Sequence, residues 1–136
     1  MKKSRVLFLI LCLCSLVLEA LPLGAVCRFA TPDETFVETF SYFSLVPYGY
    51  ANFGPFITAV LTCLLTVFAV ILFKAAGKKI LGATKILSAF SIITSFLPLL
   101  LGTDYYNFVS LAISLLMIAQ FTVIMVISKN KGSAEQ

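Results

Sequence analysis

Lys74-Ala75-Ala76-Gly77-Lys78-Lys79 is a cationic turn set between two apolar stretches of about twenty residues, each long enough to cross a bilayer. Such a turn makes its two flanks an antiparallel helical pair. It also marks one end of that pair as lysine-rich. Working outwards, spans are expected at 55–73 and 80–101 on either side of the turn and at 108–127 beyond them. The link at 102–107 is too short for anything but antiparallel neighbours.

The totals agree with this reading. Of 136 residues, 60% are apolar and only 12% charged, which is too little polar surface for a soluble domain of this size. The mean hydropathy is +1.05. The expected object is an all-α integral membrane protein, a four-helix bundle forming a single membrane domain. The net charge of +4 is spread by position along the chain rather than gathered on an arginine-rich face, so nucleic acid is not an expected partner. Histidine and tryptophan are absent, and the four cysteines, Cys12, Cys14, Cys27 and Cys63, have neither CxxC spacing nor a histidine nearby. No metal, cofactor or enzymatic chemistry is expected. Cys12, Cys14 and Cys63 read as packing residues, and Cys27 as a thiol facing outwards at the membrane edge.

The beginning of the chain carries two readings. A basic head, Lys2, Lys3 and Arg5, precedes a thirteen-residue apolar core, Val6–Leu18, as in a cleaved signal peptide. Alternatively it is a retained first span over 6–26, and Leu23, a poor residue three places before a cut at Ala25, favours this one. Val26 before Cys27 argues against a lipoprotein site.

The outer segment, 28–54, opens on Thr31-Pro32-Asp33-Glu34, the pattern of a helix-capping box. With Phe36, Phe40 and Phe43 following at helical spacing, a short amphipathic extracellular helix is expected, ended by Pro47 and Gly49. Counting cations by side puts Lys2, Lys3, Arg5, Lys74, Lys78, Lys79, Lys85, Lys129 and Lys131 at one end and only Arg28 at the other, with Asp33, Glu34, Glu38 and Asp104. The positive-inside rule then makes both termini cytoplasmic in a bacterial plasma membrane. All five tyrosines, Tyr42, Tyr48, Tyr50, Tyr105 and Tyr106, belong to the outer end and read as an aromatic belt.

Candidate functional residues are few. Glu19 lies thirteen residues past Val6, which places its carboxylate ~20 Å into the slab. An ionised side chain there costs ~2.5–3.5 kcal/mol on insertion scales, and protonation removes much of that cost. The plainer alternative takes Glu19 to the outer headgroups with a bend at Pro22. Hydroxyl stripes run along single faces: Thr58, Thr62 and Thr66 on the second span, Thr84, Ser88, Ser91 and Ser95 on the third, Ser110 and Ser114 on the fourth. In lipid such stripes permit close helix packing, and the sharper reading is a polar pathway. Lys85 is expected to snorkel to the surface, Gln120 to bond to a neighbouring helix, and Pro98 to bend the third span.

The layout, and the stretch SYFSLVPYGYANFGPFITAVLTC at Ser41–Cys63, resembles small four-span inner-membrane proteins of Gram-positive bacteria. That resemblance implies no activity. Four short spans with a glutamate in the first are also similar to small multidrug-resistance exporters, in which that glutamate is the shared proton and substrate site. The 27-residue outer segment and the lack of Trp depart from that pattern. Two functions follow as expectations. One is a non-enzymatic accessory subunit contacting the bilayer and another membrane protein, or its own copy, through hydroxyl stripes or the outer aromatic segment. The other is a small proton-coupled transporter, an oligomer titrating at Glu19.

Overall fold

The computed structural model describes residues 2–134. Its elements in chain order are α1 (Lys2–Ala20), β1 (Ala25–Ala30), β2 (Thr35–Phe40), α2 (Leu45–Gly49), α3 (Gly54–Lys74), α4 (Lys78–Leu101) and α5 (Phe108–Ala134), with a 3-10 turn at Thr103–Tyr105 before α5. The protein is mostly helical, and three of the helices, α3, α4 and α5, are long and apolar enough to cross a membrane. α1 packs against α3 and α5, and α4 packs against the same two, so the four long helices form a square with α1 and α4 at opposite corners.

The packing is inverted relative to a soluble bundle. Facing inwards are Ser15, Thr58, Thr62, Thr84, Ser88, Ser91, Ser95, Ser110 and Ser114, whereas Val67, Ile86, Phe90, Ile93 and Leu115 lie more than half exposed on the outer surface. Hydroxyls inside and branched alkyl groups outside suit an apolar solvent. Two apolar clusters fill the space between: Phe8, Leu65, Leu72, Leu81, Ile124 and Ile127 towards the lysine-rich end, and Ala25, Tyr42, Ala59, Ile113 and Met117 towards the other.

The expected extracellular helix is replaced by a β-hairpin. β1 and β2 pair antiparallel, from Ala25 opposite Phe40 to Ala30 opposite Thr35. The hydrogen bond anticipated from Glu34 N–H to Thr31 Oγ1 forms, at 3.2 Å, yet it closes the hairpin turn, and Thr31 N–H donates to Glu34 O at 2.8 Å. β-branched and aromatic residues at Val26, Phe29, Thr35, Phe36, Val37, Thr39 and Phe40 favour the pleated conformation once a partner strand is present. Phe29 stacks on Phe36, centroids 5.3 Å apart, and meets Tyr50 edge-on at 5.0 Å. The only helix in this segment among the described residues is the single turn α2, capped by Ser44.

The first helix also differs from the expected 6–26. It starts at Lys2 and stops at Ala20, and the last residues assigned to that span, Ala25 and Val26, begin β1. Pro22 disfavours helical backbone at Leu21, which ends α1 there.

Two expectations for the outer end are corrected by burial. Cys27, paired with Glu38 in the ladder, is 1% exposed, and Tyr42 is fully buried while Tyr48 and Tyr50 remain outside as a belt would require. Burial, and secondarily Glu38, pushes the Cys27 thiol above its usual range. A membrane-impermeant maleimide is accordingly expected to leave Cys27 unlabelled in the folded protein and to modify it after denaturation. Labelling at the rate of a free surface thiol would contradict the hairpin packing.

The outer end is tied by Arg28 to Asp104 across 2.5 Å, a pair whose side chains are 42% and 66% exposed. Exposed pairs contribute little, so Asp104→Asn is expected to lower stability by at most about 1 kcal/mol, with a smaller loss at high salt.

Candidate functional site

α1 presents one buried face, Phe8, Cys12, Ser15 and Glu19, at spacings of four, three and four residues. Glu19 closes that face one residue before the helix ends and is 0% exposed. Its backbone carbonyl accepts from Tyr42 N–H at 2.8 Å, so the chain two residues after the hairpin sits directly on the end of α1. The bend at Pro22 therefore does not release Glu19 to the headgroups. It turns the chain into β1 and leaves the carboxyl inside.

The carboxyl meets the threonine stripe of α3. Thr62 Oγ1 lies 2.8 Å from Glu19 Oε1 and 2.9 Å from Thr58 O. Thr62 has one hydroxyl hydrogen, and an ionised Glu19 would make both neighbours acceptors, leaving one contact without a proton. If Glu19 carries the proton, Oε1–H donates to Thr62 and Thr62 donates to Thr58 O, and every atom of the chain is satisfied. Glu19 Oε2 has no hydrogen-bond partner. An unpaired carbonyl-type oxygen is a far smaller cost than an unpaired carboxylate in the same place. A neutral carboxyl fits these contacts.

From Thr62 the polar contacts continue one turn along α3. Thr58 Oγ1 is 2.7 Å from Gly54 O and 2.9 Å from Thr94 Oγ1 on α4. On the other side of Glu19, four residues back along α1, Ser15 Oγ accepts from Gln120 Nε2 of α5 at 2.7 Å. Gln120 Nε2 also reaches Leu11 O at 3.3 Å, which fixes the orientation of the amide and leaves its Oε1 buried without a partner. Met117 Sδ approaches Thr62 Oγ1 to 4.0 Å. A seam of polar groups thus passes between all four long helices with Glu19 near its middle.

The anticipated stripe residues divide into three groups. Thr62 meets Glu19 directly, and Thr58 is linked to it through Thr62. Ser110 and Ser114 build a separate outer cluster, where Ser110 Oγ donates to Gly24 O at 2.6 Å and Ser114 accepts from Tyr106 Oη at 2.6 Å. Thr66, Thr84, Ser91 and Ser95 bond back to carbonyls of their own helices, and Ser88 Oγ is buried without a partner. All of these stripe residues but Thr66 are buried within the chain. The sequence reading missed Ser15, Tyr42, Thr94 and Asn107. Ser15 carried a signal, four residues before Glu19 on the same face; Tyr42 carried none, since its seat depends on the hairpin. Burial raises the Tyr42 phenol above its usual range, with the Ser110 hydroxyl acting weakly the other way.

Among the described residues no group of three His, Cys, Asp or Glu side chains is placed to hold a metal, and all four cysteines are unpaired. Comparison with protein-family models, with curated proteins and with solved structures finds no match for this chain.

Proposed function

We propose that this protein is a small proton-coupled transporter of a bacterial plasma membrane, with Glu19 as the group that takes up and releases the proton. The observation that carries the reading is the fully buried Glu19 carboxyl, bonded through Oε1 to Thr62 and unpartnered at Oε2. A membrane-embedded carboxyl at the join of four helices is costly to keep for packing alone. The hydroxyls of Thr62, Thr58 and Thr94 continue from it between α3 and α4, and the Ser15–Gln120 pair lies one turn away on the same face of α1.

In this reading α1 is the fourth span. Nineteen residues give it ~28 Å, close to the ~30 Å of the hydrocarbon slab, and Leu7, Ile10, Leu13 and Val17 are exposed along its outer face as on the other three helices. Lys74, Lys78, Lys79, Lys129 and Lys131 gather at the end of the bundle where α1 begins, which supports cytoplasmic termini. Four short helices enclose little volume, so the working unit is an oligomer. The test is proton flux into vesicles containing the purified protein and a pH-sensitive dye. Flux above protein-free vesicles, lost on Glu19→Gln, is expected; equal flux in both proteins sinks the proposal.

A second reading, a non-enzymatic accessory subunit, is favoured by the outer hairpin. β2 leaves Phe36 and Val37 43% and 56% exposed at the end of the molecule. Photocrosslinking from position 37 in native membranes is expected to capture a single neighbour, another membrane protein or a second copy. Capture of lipid alone would end this reading.

A further inference from the structure

The outer hairpin has one closed edge and one open edge. Thr31 N–H donates to Glu34 O, so Thr31 and Glu34 are a hydrogen-bonded pair, and bonded and non-bonded pairs alternate from there along the ladder. Thr35, Val37 and Thr39 fall in the non-bonded pairs. Their N–H and C=O groups therefore turn away from β1, and none of them bonds to other backbone among the described residues. On the far side of β1, Val26 O accepts from Asn52 Nδ2 at 3.2 Å, and β1 packs on the 3-10 turn and α2. Nothing comparable covers β2, where every residue from Thr31 to Thr39 is exposed.

Free edges are ordinarily blunted by lysine, by proline or by a bulge. β2 has none of these: it reads Thr-Phe-Val-Glu-Thr-Phe, and its register runs unbroken from Ala25 opposite Phe40 to Ala30 opposite Thr35. Its one charge is Glu38, with Asp33 and Glu34 beside it at the turn. None of these three carboxylates makes an ion pair among the described residues. Arg28, the only cation between Arg5 and Lys74, is held by Asp104.

We propose that the open edge of β2 takes up, as a third strand, an extended segment of another protein carrying lysine or arginine at alternate positions, an inference that rests on the accessory-subunit reading. The outward groups of Thr35, Val37 and Thr39 supply the main-chain bonds. Side chains supply the choice of partner. Phe36, Glu38 and Phe40 share one face of the sheet and Thr35, Val37 and Thr39 the other. A cation of the added strand opposite Glu38 completes a pair, and the next cation on that face lies by the exposed Phe36 ring. A β-branched residue between them meets Val37. Charge also disfavours a second copy in this place. Two β2 strands paired antiparallel about Val37 would set Glu38 diagonal to both Glu34 and Glu38 of the other copy.

The experiment uses the full chain in neutral detergent, with dye-labelled hexapeptides as probes. Lys-Val-Lys-Val-Lys-Val is expected to bind once per chain and at least about tenfold more tightly than Glu-Val-Glu-Val-Glu-Val, with a smaller difference at high salt. The lysine peptide N-methylated throughout has no main-chain donors and should not bind. Val37→Pro removes an N–H that faces only the open edge, a change edge strands tolerate, and should weaken binding at least about tenfold. Glu38→Gln should weaken it about threefold, the worth of one exposed ion pair. Cys27, paired with Glu38, stays closed to maleimide while the hairpin is intact, so each variant reports its own fold. Should Val37→Pro open it, Glu38→Gln and the methylated peptide decide. Equal binding of the two charged peptides, full binding of the methylated one, or unchanged binding to Val37→Pro with Cys27 closed would each overturn the third strand. A dimer that Val37→Pro dissolves would give the edge to a second copy and overturn it as well. Capture of lipid alone from position 37 in native membranes ends the accessory reading itself, whereas a captured protein without any peptide preference ends only the strand addition.

Discussion

Glu19→Gln is expected to leave the bundle folded and to bring proton flux down to the level of protein-free vesicles. The amide is the nearest neutral replacement for a protonated carboxyl: its nitrogen donates to Thr62 Oγ1 as the acid would, and Thr62 remains free to donate to Thr58 O. Thermal unfolding in detergent should therefore move by no more than a few degrees. What the amide lacks is a proton to exchange. Infrared difference spectra supply an independent check, because the carbonyl stretch of a neutral carboxyl should be present in the parent protein and missing in the variant. A parent spectrum without that band, or a variant with large loss of stability, would mean that Glu19 is ionised in the folded state and that the hydrogen-bond argument fails.

Gly54→Ala is expected to be the most damaging single-methyl change in the bundle. Pro98 has no N–H to offer the carbonyl four residues back, so Thr94 O is released from the helical ladder of α4. Gly54, at the start of α3, packs against this gap. A Cβ there would stand 2.8 Å from Thr94 O, 2.8 Å from Pro98 Cδ and 2.9 Å from Leu97 Cβ. A backbone carbonyl and a proline ring cannot swing away, so α3 and α4 must separate and the Thr58–Thr94 contact at 2.9 Å goes with them. The loss should be about 1–3 kcal/mol, read from unfolding of the reconstituted protein. A variant as stable as the parent would show that the helices slide past each other without cost. Gly24→Ala meets side-chain atoms alone, the Tyr42 ring at 2.8 and 3.1 Å and Ile113 Cδ1 at 3.5 Å, so the fully buried ring has to shift rather than the backbone of a neighbouring helix.

The parts of this architecture legible in the sequence are those written in local composition. The turn at 74–79 separates α3 from α4 within a residue or two of expectation, and the hydroxyl stripes face inwards. The hairpin was hidden for a specific reason. Phe36 and Phe40 are four residues apart, a spacing that satisfies a helix and also an alternating strand, and Thr31-Pro32-Asp33-Glu34 serves a turn as well as a cap. What decides between the two is the partner strand, 25–30, and its first two residues, Ala25 and Val26, lie concealed at the end of an apolar run assigned to the first helix. Periodicity within one segment cannot reveal a pairing between two. The same holds for the site. Glu19 stood out alone as a charge in an apolar stretch, whereas Thr62 became its partner through a contact 43 residues away in sequence.

The square arrangement of the long helices has a bearing on biogenesis. α1 is the least apolar of the four, with Arg5 and Glu19 near its two ends, and it borders α3 and α5 but lies diagonal to α4. Its outer end is fastened to α5 by Asn107 Nδ2 to Leu23 O at 2.5 Å and by Ser110 Oγ to Gly24 O at 2.6 Å. The ribosome makes α1 first and these fastenings last. The partners of Glu19 itself, Thr62 and the Tyr42 amide, precede α5 in the chain, whereas the Ser15–Gln120 contact and the fastenings to Asn107 and Ser110 close only when α5 has been made.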